Sequence, residues 1–414
     1  MNIRWLASSI AVVGFTLGAA IYASARAIPT PEQQVLKLRS SGAVGLQSFL
    51  KQYGAEFRSS KTELPAEPLR KALDTLCRQR DCHASQLYWY TDLEQAKVAA
   101  KTSGKPILSL RLLGHLDQEL SCANSRFFRV ALYPNAEISK VLRDRFILHW
   151  ESVRPVPKVT VDFGDGRKLE RTVTGNSIHY VLDASGQPVE AIPGLYGPQA
   201  FLRQLIAAES AVKQYQKSQN PAGFLQQYHR DRLTQLEQTW STALTALGVQ
   251  IPRQLTASAG SVGAEVAAQR AMTKSVVESP LVSSLRNLKT LTEMTDQAAW
   301  QKLAQQYRAE AVLDARSIQL IRAKKVGQSD ENQIQTTLKQ FEASIALDTV
   351  RNEFLLHSQL HRWFTEGAVT RSVKSLNDRV YADLFLTPNS DPWLGLSPQD
   401  VYSAIEKDGL FQDN

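Results

Sequence analysis

The sequence predicts an α/β domain, a mixed central sheet flanked by helices and carrying a hairpin insertion, followed by an all-α helical domain. Three observations predict this layout. Between residues 87 and 217 short apolar or aromatic runs alternate with amphipathic stretches, the rhythm of strands and helices stacked in layers. Beyond residue 218 Gln, Ala, Leu and charged residues take over, with apolar positions at helical spacing only. Finally, 414 residues exceed what one typical core holds, so two domains after an N-terminal segment are expected.

Residues 1–29 read as a signal peptide or an N-terminal membrane anchor. Arg4 supplies the positive flank, and Trp5 to Tyr22 runs almost without polar interruption. Ala23-Ser24-Ala25 offers a small-x-small cleavage pattern near Ala25, whereas a run of about 18 apolar residues can also span a bilayer. Anchoring to the inner membrane by residues 5–23 and release after cleavage are both open. Either way the body is expected in the periplasm or another extracytoplasmic space. Hydrophobic content of 43% and charged content of 21% are those of an ordinary globular protein. The net charge of +8 is spread, with no basic run interleaved with aromatics, which excludes nucleic acid as a partner class. The expected partners are protein substrates or partner proteins of the envelope, and the membrane through the N-terminal segment.

Residues 30–86 read as a helical segment, with Val35, Leu36 and Leu38, then Leu46, Phe49 and Leu50, at helical spacing. Tyr88-Trp89-Tyr90 is a short aromatic strand. Thr91-Asp92-Leu93-Glu94 reads as a capping box opening a helix to about Thr102, with Gly104 as its left-handed stop. Ile107 to Leu113 is a strand buried against helices, with Arg111 its one charged residue. Cys122 opens a helix bearing Phe127, Phe128, Ala131 and Leu132. Asn135 caps a second helix with Ile138, Val141 and Leu142 inward, and Phe146 to Trp150 is the next strand. Val159 to Phe163 and Leu169 to Thr174 flank Gly164-Asp165-Gly166 as the inserted hairpin. His179 to Asp183 and Val189 to Ile192 are strands, and a helix with Phe201, Leu202 and Leu205 inward closes the domain at residue 217.

In residues 218–414 Leu233, Leu236, Trp240, Leu244 and Leu247 make one helical stripe, and Trp300, Leu303, Tyr307 and Ala311 another. Thr256 to Gly263 reads as a small-residue linker and Gly327 to Asn332 as a break. A long helix is expected from about Ile334 to Phe364, then a Pro-rich tail before a short helix capped at Ser397.

The order of these elements, with a cysteine at a helix start after a strand, resembles the thioredoxin-like superfamily over roughly residues 87–205. The bacterial domains of that superfamily show an aromatic strand, an acidic-capped helix, G-K-P-I-L, then C-x-x-C and an aromatic-rich helix. Here Tyr88 to Tyr90, Asp92 to Ala99, Gly104 to Leu108 and Cys122 to Phe128 are similar to those parts. Two departures stand out: the second motif cysteine is Ser125, and the proline that usually faces the cysteine is replaced near Ile178. The resemblance implies disulfide chemistry or simple capture of a protein. A C-x-x-S site cannot close its own disulfide, which restricts that chemistry to a monothiol exchange or isomerase-type cycle through a mixed disulfide. The alternative is a redox-inactive thioredoxin-fold module that binds or scaffolds other proteins.

Cys122 is the candidate nucleophile, because amides at a helix N-terminus stabilise a thiolate. Ser125 and Arg126 are candidate thiolate stabilisers, and His179 is either a base facing Cys122 or an outward residue on its strand. The competing reading of Cys122 is a small residue serving as helix cap and packing. The chain has three cysteines. Cys77 and Cys82 are close enough to bridge locally, which leaves Cys122 free; three unpaired cysteines are the alternative. No cofactor is required by the sequence. Cys77-x4-Cys82-His83 is a stretched form of the haem-attachment motif C-x-x-C-H, without a neighbouring methionine or a domain of its own. His357 and His361 share a helix face that Glu353 extends by one turn, either a weak metal-ligand trio or histidines at the edge of a helical core. Asp162, Asp165 and Glu170 lack the spacing of a calcium loop and read as a solvated turn.

Overall fold

Strand β2 (Ile107–Leu113) lies at the centre of a five-stranded sheet with all its residues buried. The run ILSLRLL is what a strand covered on both faces requires, and its two polar residues find partners. Ser109 meets His149 Nδ1 at 2.8 Å, and Arg111 pairs with Glu151. The computed structural model describes residues 31–57, 65–172, 175–246, 297–325, 330–366, 372–385, 387 and 390. The expected export segment, the linker at Thr256 to Gly263 and the helix capped at Ser397 lie outside the described residues. Among the described residues no helix is long and apolar enough to cross a membrane.

On one side β2 pairs in parallel with β3 (Ile147–Arg154), which pairs in parallel with β1 (Trp89–Tyr90). On the other, β6 (Ser177–Leu182) is antiparallel to β2, and β7 (Pro188–Pro193) is antiparallel to β6. The order is β1-β3-β2-β6-β7. Strands β4 (Lys158–Asp162) and β5 (Lys168–Thr172) form a separate two-stranded hairpin. Gly164 and Gly166 turn it with φ of +75° and +91°, values that favour glycine.

The helices N-terminal to the sheet are α1 (Pro31–Ser40), α2 (Gly42–Tyr53), α3 (Glu67–Cys77) and α4 (Cys82–Ser85). They enclose a small core of their own around Leu46, Phe49, Leu73 and Leu76. Helix α5 (Leu93–Ser103) follows β1, and its cap differs by one residue from the expected box: Asp92, not Thr91, accepts from the Gln95 amide at 2.9 Å. The helix begins one residue later than predicted, and a capping side chain reaches the second or third amide beyond itself. Helix α6 (Ala123–Phe127) runs into one wide π turn at Phe128–Leu132. Asn135 caps α7 (Ala136–Arg145) through the amides of Glu137 and Ile138, as expected. Helix α8 (Pro198–Lys217) closes the α/β part.

The remainder is helical: α9 (Pro221–Ala246), α10 (Gln297–Gln306), α11 (Ala315–Lys324), α12 (Glu331–Arg351), α13 (Ser358–Glu366) and α14 (Val373–Arg379). A wide turn at Asn352–His357 joins α12 to α13, so the expected long helix runs from Glu331 to Glu366. The sheet and these helices share one continuous core. Leu110, Tyr180 and Phe201 belong to the same buried cluster as Trp300, Val350, Phe364 and Tyr381. At Gly194, φ is +75° and an added Cβ would stand 2.7 Å from the Asn352 side chain. Asn352 Nδ2 donates to the Leu195 carbonyl at 2.6 Å, so the turn after β7 is shaped to receive the long helix.

Candidate functional site

Two side-chain clusters carry chemistry-bearing residues, one at each end of the β6–β7 pair. The first surrounds Cys122. After β2 the chain turns at Gly114 and returns, so that the Cys122 amide donates to the Leu113 carbonyl at 3.2 Å. Cys122 occupies the capping position of α6 without a side-chain cap bond. It is the free cysteine, fully buried, and its thiol donates to the Asn176 carbonyl at 3.8 Å. The backbone facing the sulfur therefore belongs to Asn176, just before β6 and two residues ahead of Ile178.

Two of the predicted helpers, Ser125 and His179, bond to other partners. Ser125 is buried; its hydroxyl donates to the Cys122 carbonyl at 3.0 Å and stands 2.6 Å from Ser121 Oγ. Arg126 is half-buried, and its amide donates to the Cys122 carbonyl at 3.1 Å. His179 points into the core, neither outward nor hydrogen-bonded to the thiol: its Nε2 meets the Tyr133 hydroxyl at 2.8 Å. Its ring lies between Phe128 and Phe201, 4.7 Å and 5.0 Å away. Burial holds His179 down at about 3, so it is neutral at physiological pH. Burial, then the neighbouring Cys122, pushes the Tyr133 hydroxyl well above its ordinary value.

The C-terminal helices close this face. Tyr381, in the turn after α14, is fully buried and donates to the Asn176 carbonyl at 3.3 Å. Asn176 Nδ2 donates to Thr387 Oγ1 at 3.1 Å, Arg154 to the Thr387 carbonyl at 3.2 Å, and Tyr180 to Asn377 Oδ1 at 3.3 Å. Sequence reasoning missed Asn176, Tyr133 and Tyr381, since nothing local to Tyr381 marks a partner on β6.

The second cluster lies at the outer strand. Glu190 on β7, His229 on α9 and His357 and His361 on the long helix meet with all four side chains buried. Glu190 Oε2 accepts from Tyr228 at 2.8 Å, and Oε1 accepts from the Ala191 amide at 2.9 Å. His357 Nε2 is 3.2 Å from Glu190 Oε1, and His361 Nδ1 is 4.0 Å from the same atom. His229 Nδ1 is 2.7 Å from His361 Nδ1, while His229 Nε2 reaches the Val189 carbonyl at 3.1 Å. Burial holds His229 down at about 4 and His361 well below its ordinary value. Glu353, expected beside these histidines, instead faces Arg203 at 3.2 Å and Gln204 at 3.2 Å. The wide turn at Asn352–His357 rotates it away, and Glu190 stands in its place.

Cys77 and Cys82 are joined in a disulfide linking the end of α3 to the start of α4. Neither sulfur can form the thioether that haem attachment needs while that bond is intact. His83 is held down at about 4 by burial. In the hairpin Asp165 pairs with Arg167 and Asp162 with Lys168, at 2.7 Å and 3.3 Å.

Compared with known proteins, the chain matches no family model, and neither a curated protein nor a solved structure is found similar to it.

Proposed function

We propose that this protein is a redox-silent scaffold of the cell envelope, built on a thioredoxin-like domain whose substrate-approach face is filled by its own C-terminal helices. One observation carries the reading. The Cys122 thiol has no exposed surface, and the Asn176 carbonyl it faces is also held by Tyr381. Thiol exchange needs an incoming disulfide in line with the sulfur, and buried structural cysteines are inert.

The strand order β1-β3-β2-β6-β7, with three parallel strands followed by an antiparallel pair, supports the thioredoxin-like part of the reading. Ser125 supports its redox silence, because the position that would resolve a mixed disulfide is a hydroxyl bonded to Ser121. The Cys77–Cys82 disulfide suits an oxidising compartment and supports the exported location. Monothiol exchange by Cys122 ranks second, since Tyr381 and Thr387 would first have to lift away.

A reporter-disulfide exchange assay with the folded chain tests the proposal. No exchange dependent on Cys122 is expected. Turnover that disappears in Cys122→Ser would overturn the scaffold reading in favour of monothiol chemistry.

A further inference from the structure

Three of the chain's seven histidines gather around one glutamate, drawn from an edge strand, α9 and the long helix. Such convergence from distant segments asks for a reason. A buried carboxylate is costly unless a cation or several donors meet it. Glu190 receives one amide and one tyrosine hydroxyl. The other side chains that meet it are imidazoles.

His357 Nδ1 and His361 Nε2, the ring nitrogens other than those measured against Glu190, are also buried without a partner, and an unpartnered buried nitrogen costs on the order of 1–3 kcal/mol. The spacing of the facing atoms is that of a coordination shell. One ligand atom each from Glu190, His357 and His361 lies within 4.8 Å of the other two. Zinc bound at about 2.0–2.1 Å in tetrahedral geometry sets its ligand atoms roughly 3.4 Å apart. Within that group Glu190 Oε1 lies 3.2 Å from His357 Nε2 and 4.0 Å from His361 Nδ1, on either side of that value.

The local backbone points the same way. The long helix widens into a π turn at Asn352–His357, and such turns occur frequently at functional sites. It turns Glu353 toward Arg203 and leaves His357 and His361 on Glu190. His229, its Nε2 tied to the Val189 carbonyl, meets His361 at 2.7 Å, the kind of outer partner that orients a ligating histidine.

We propose that Glu190, His357 and His361 form a buried binding site for one divalent cation of the zinc type, with His229 bracing His361 from outside. Imidazole and carboxylate without thiolate suit Zn²⁺ among first-row metals. All three ligand side chains are buried, and the role is structural. The metal pins the long helix onto β7, and so fastens the helical part to the sheet.

The test uses the full chain with its disulfide intact, unfolded in chelator and refolded with Zn²⁺, with Co²⁺ or with chelator alone. One Zn²⁺ per chain retained through gel filtration is expected, as are the intense visible bands of four-coordinate Co²⁺. Glu190→Gln and His361→Asn are expected to weaken binding by more than the roughly 10–100-fold that loss of an outer partner costs. Glu353→Gln is expected to bind as the parent does. Should those ligand variants fail to fold, the Co²⁺ spectrum of the parent chain still decides. The proposal is overturned if the refolded parent retains no Zn²⁺ and gives no such spectrum. It is equally overturned if Glu190→Gln and His361→Asn bind as tightly as the parent.

Discussion

The hydroxyl of Tyr381 donates at 3.3 Å to the carbonyl of Asn176, the same oxygen that accepts from the Cys122 thiol at 3.8 Å. A residue from the last described helical turn is thus fastened to the backbone at the start of β6, beside the Cys122 thiol. Burial pushes the Tyr381 hydroxyl well above its ordinary value, with Cys122 adding to the shift. The phenol therefore remains a donor throughout the physiological range.

Truncating that plug should expose the thiol. Tyr381→Ala removes a fully buried ring and is expected to cost about 3–5 kcal/mol in urea unfolding. Labelling of Cys122 should accelerate at least roughly tenfold through local opening. Tyr381→Phe keeps the ring and loses one hydrogen bond, so a cost of about 1 kcal/mol with the thiol still protected is expected. Equal labelling rates in the parent and in Tyr381→Ala would show that the ring is not the cover.

Gly194 should resist replacement. Its positive φ and the Asn352 side chain 2.7 Å from the site of a Cβ combine strain with a clash against the long helix. Gly194→Ala is therefore expected to destabilise by more than about 1 kcal/mol. Asn352→Ala, by contrast, leaves the Leu195 carbonyl without this donor. In Asn352→Ala the further loss on adding Gly194→Ala should shrink, a coupling that a double-mutant cycle reads directly.

The disulfide should matter modestly. A sequence separation of 5 closes a short loop, for which loop entropy gives about 2 kcal/mol. Reduction, or Cys77→Ser with Cys82→Ser, should lower the melting temperature without dissolving the sheet, because α3 and α4 belong to a separate small core. Loss of sheet structure on reduction would contradict this.

Stability should fall on acidification. His149 and His179 are both held at about 3, chiefly by burial, against about 6.5 in the unfolded chain. The unfolded state then binds more protons between pH 6.5 and 3, so stability is full above 6.5 and is lost as pH falls through that window. Each histidine contributes a slope of up to about 1.4 kcal/mol per pH unit. Asp74, raised to about 6 by burial, opposes them between roughly pH 6 and 3.9. Urea melts at pH 7, 6 and 5 should show declining stability, and a flat profile would count against neutral buried histidines.

How much of this was legible depended on how local each cause is. The β2 run, the Gly104 stop and the Asn135 cap follow from neighbouring residues, and all three are found where the sequence places them. The cap of α5 moved from Thr91 to Asp92, because two adjacent residues could serve and the sequence does not choose between them. Cys122 was located correctly at its helix start, yet the carbonyl its thiol meets is shared with Tyr381, far along the chain. The glutamate facing His357 and His361 was read as Glu353, one turn away on an ideal helix. The π turn breaks that periodicity, and contacts spanning 132 and 167 residues bring in His229 and Glu190 without any local signal.

The most direct measurement is the stoichiometry and rate of thiol labelling on the non-reduced chain, native and in urea. A sealed, redox-silent site predicts one reactive thiol, Cys122, in the unfolded protein and none in the native protein over the time that labels the unfolded chain completely. Native labelling of Cys122 at the rate of a free cysteine, or its capture as a mixed disulfide, would contradict it.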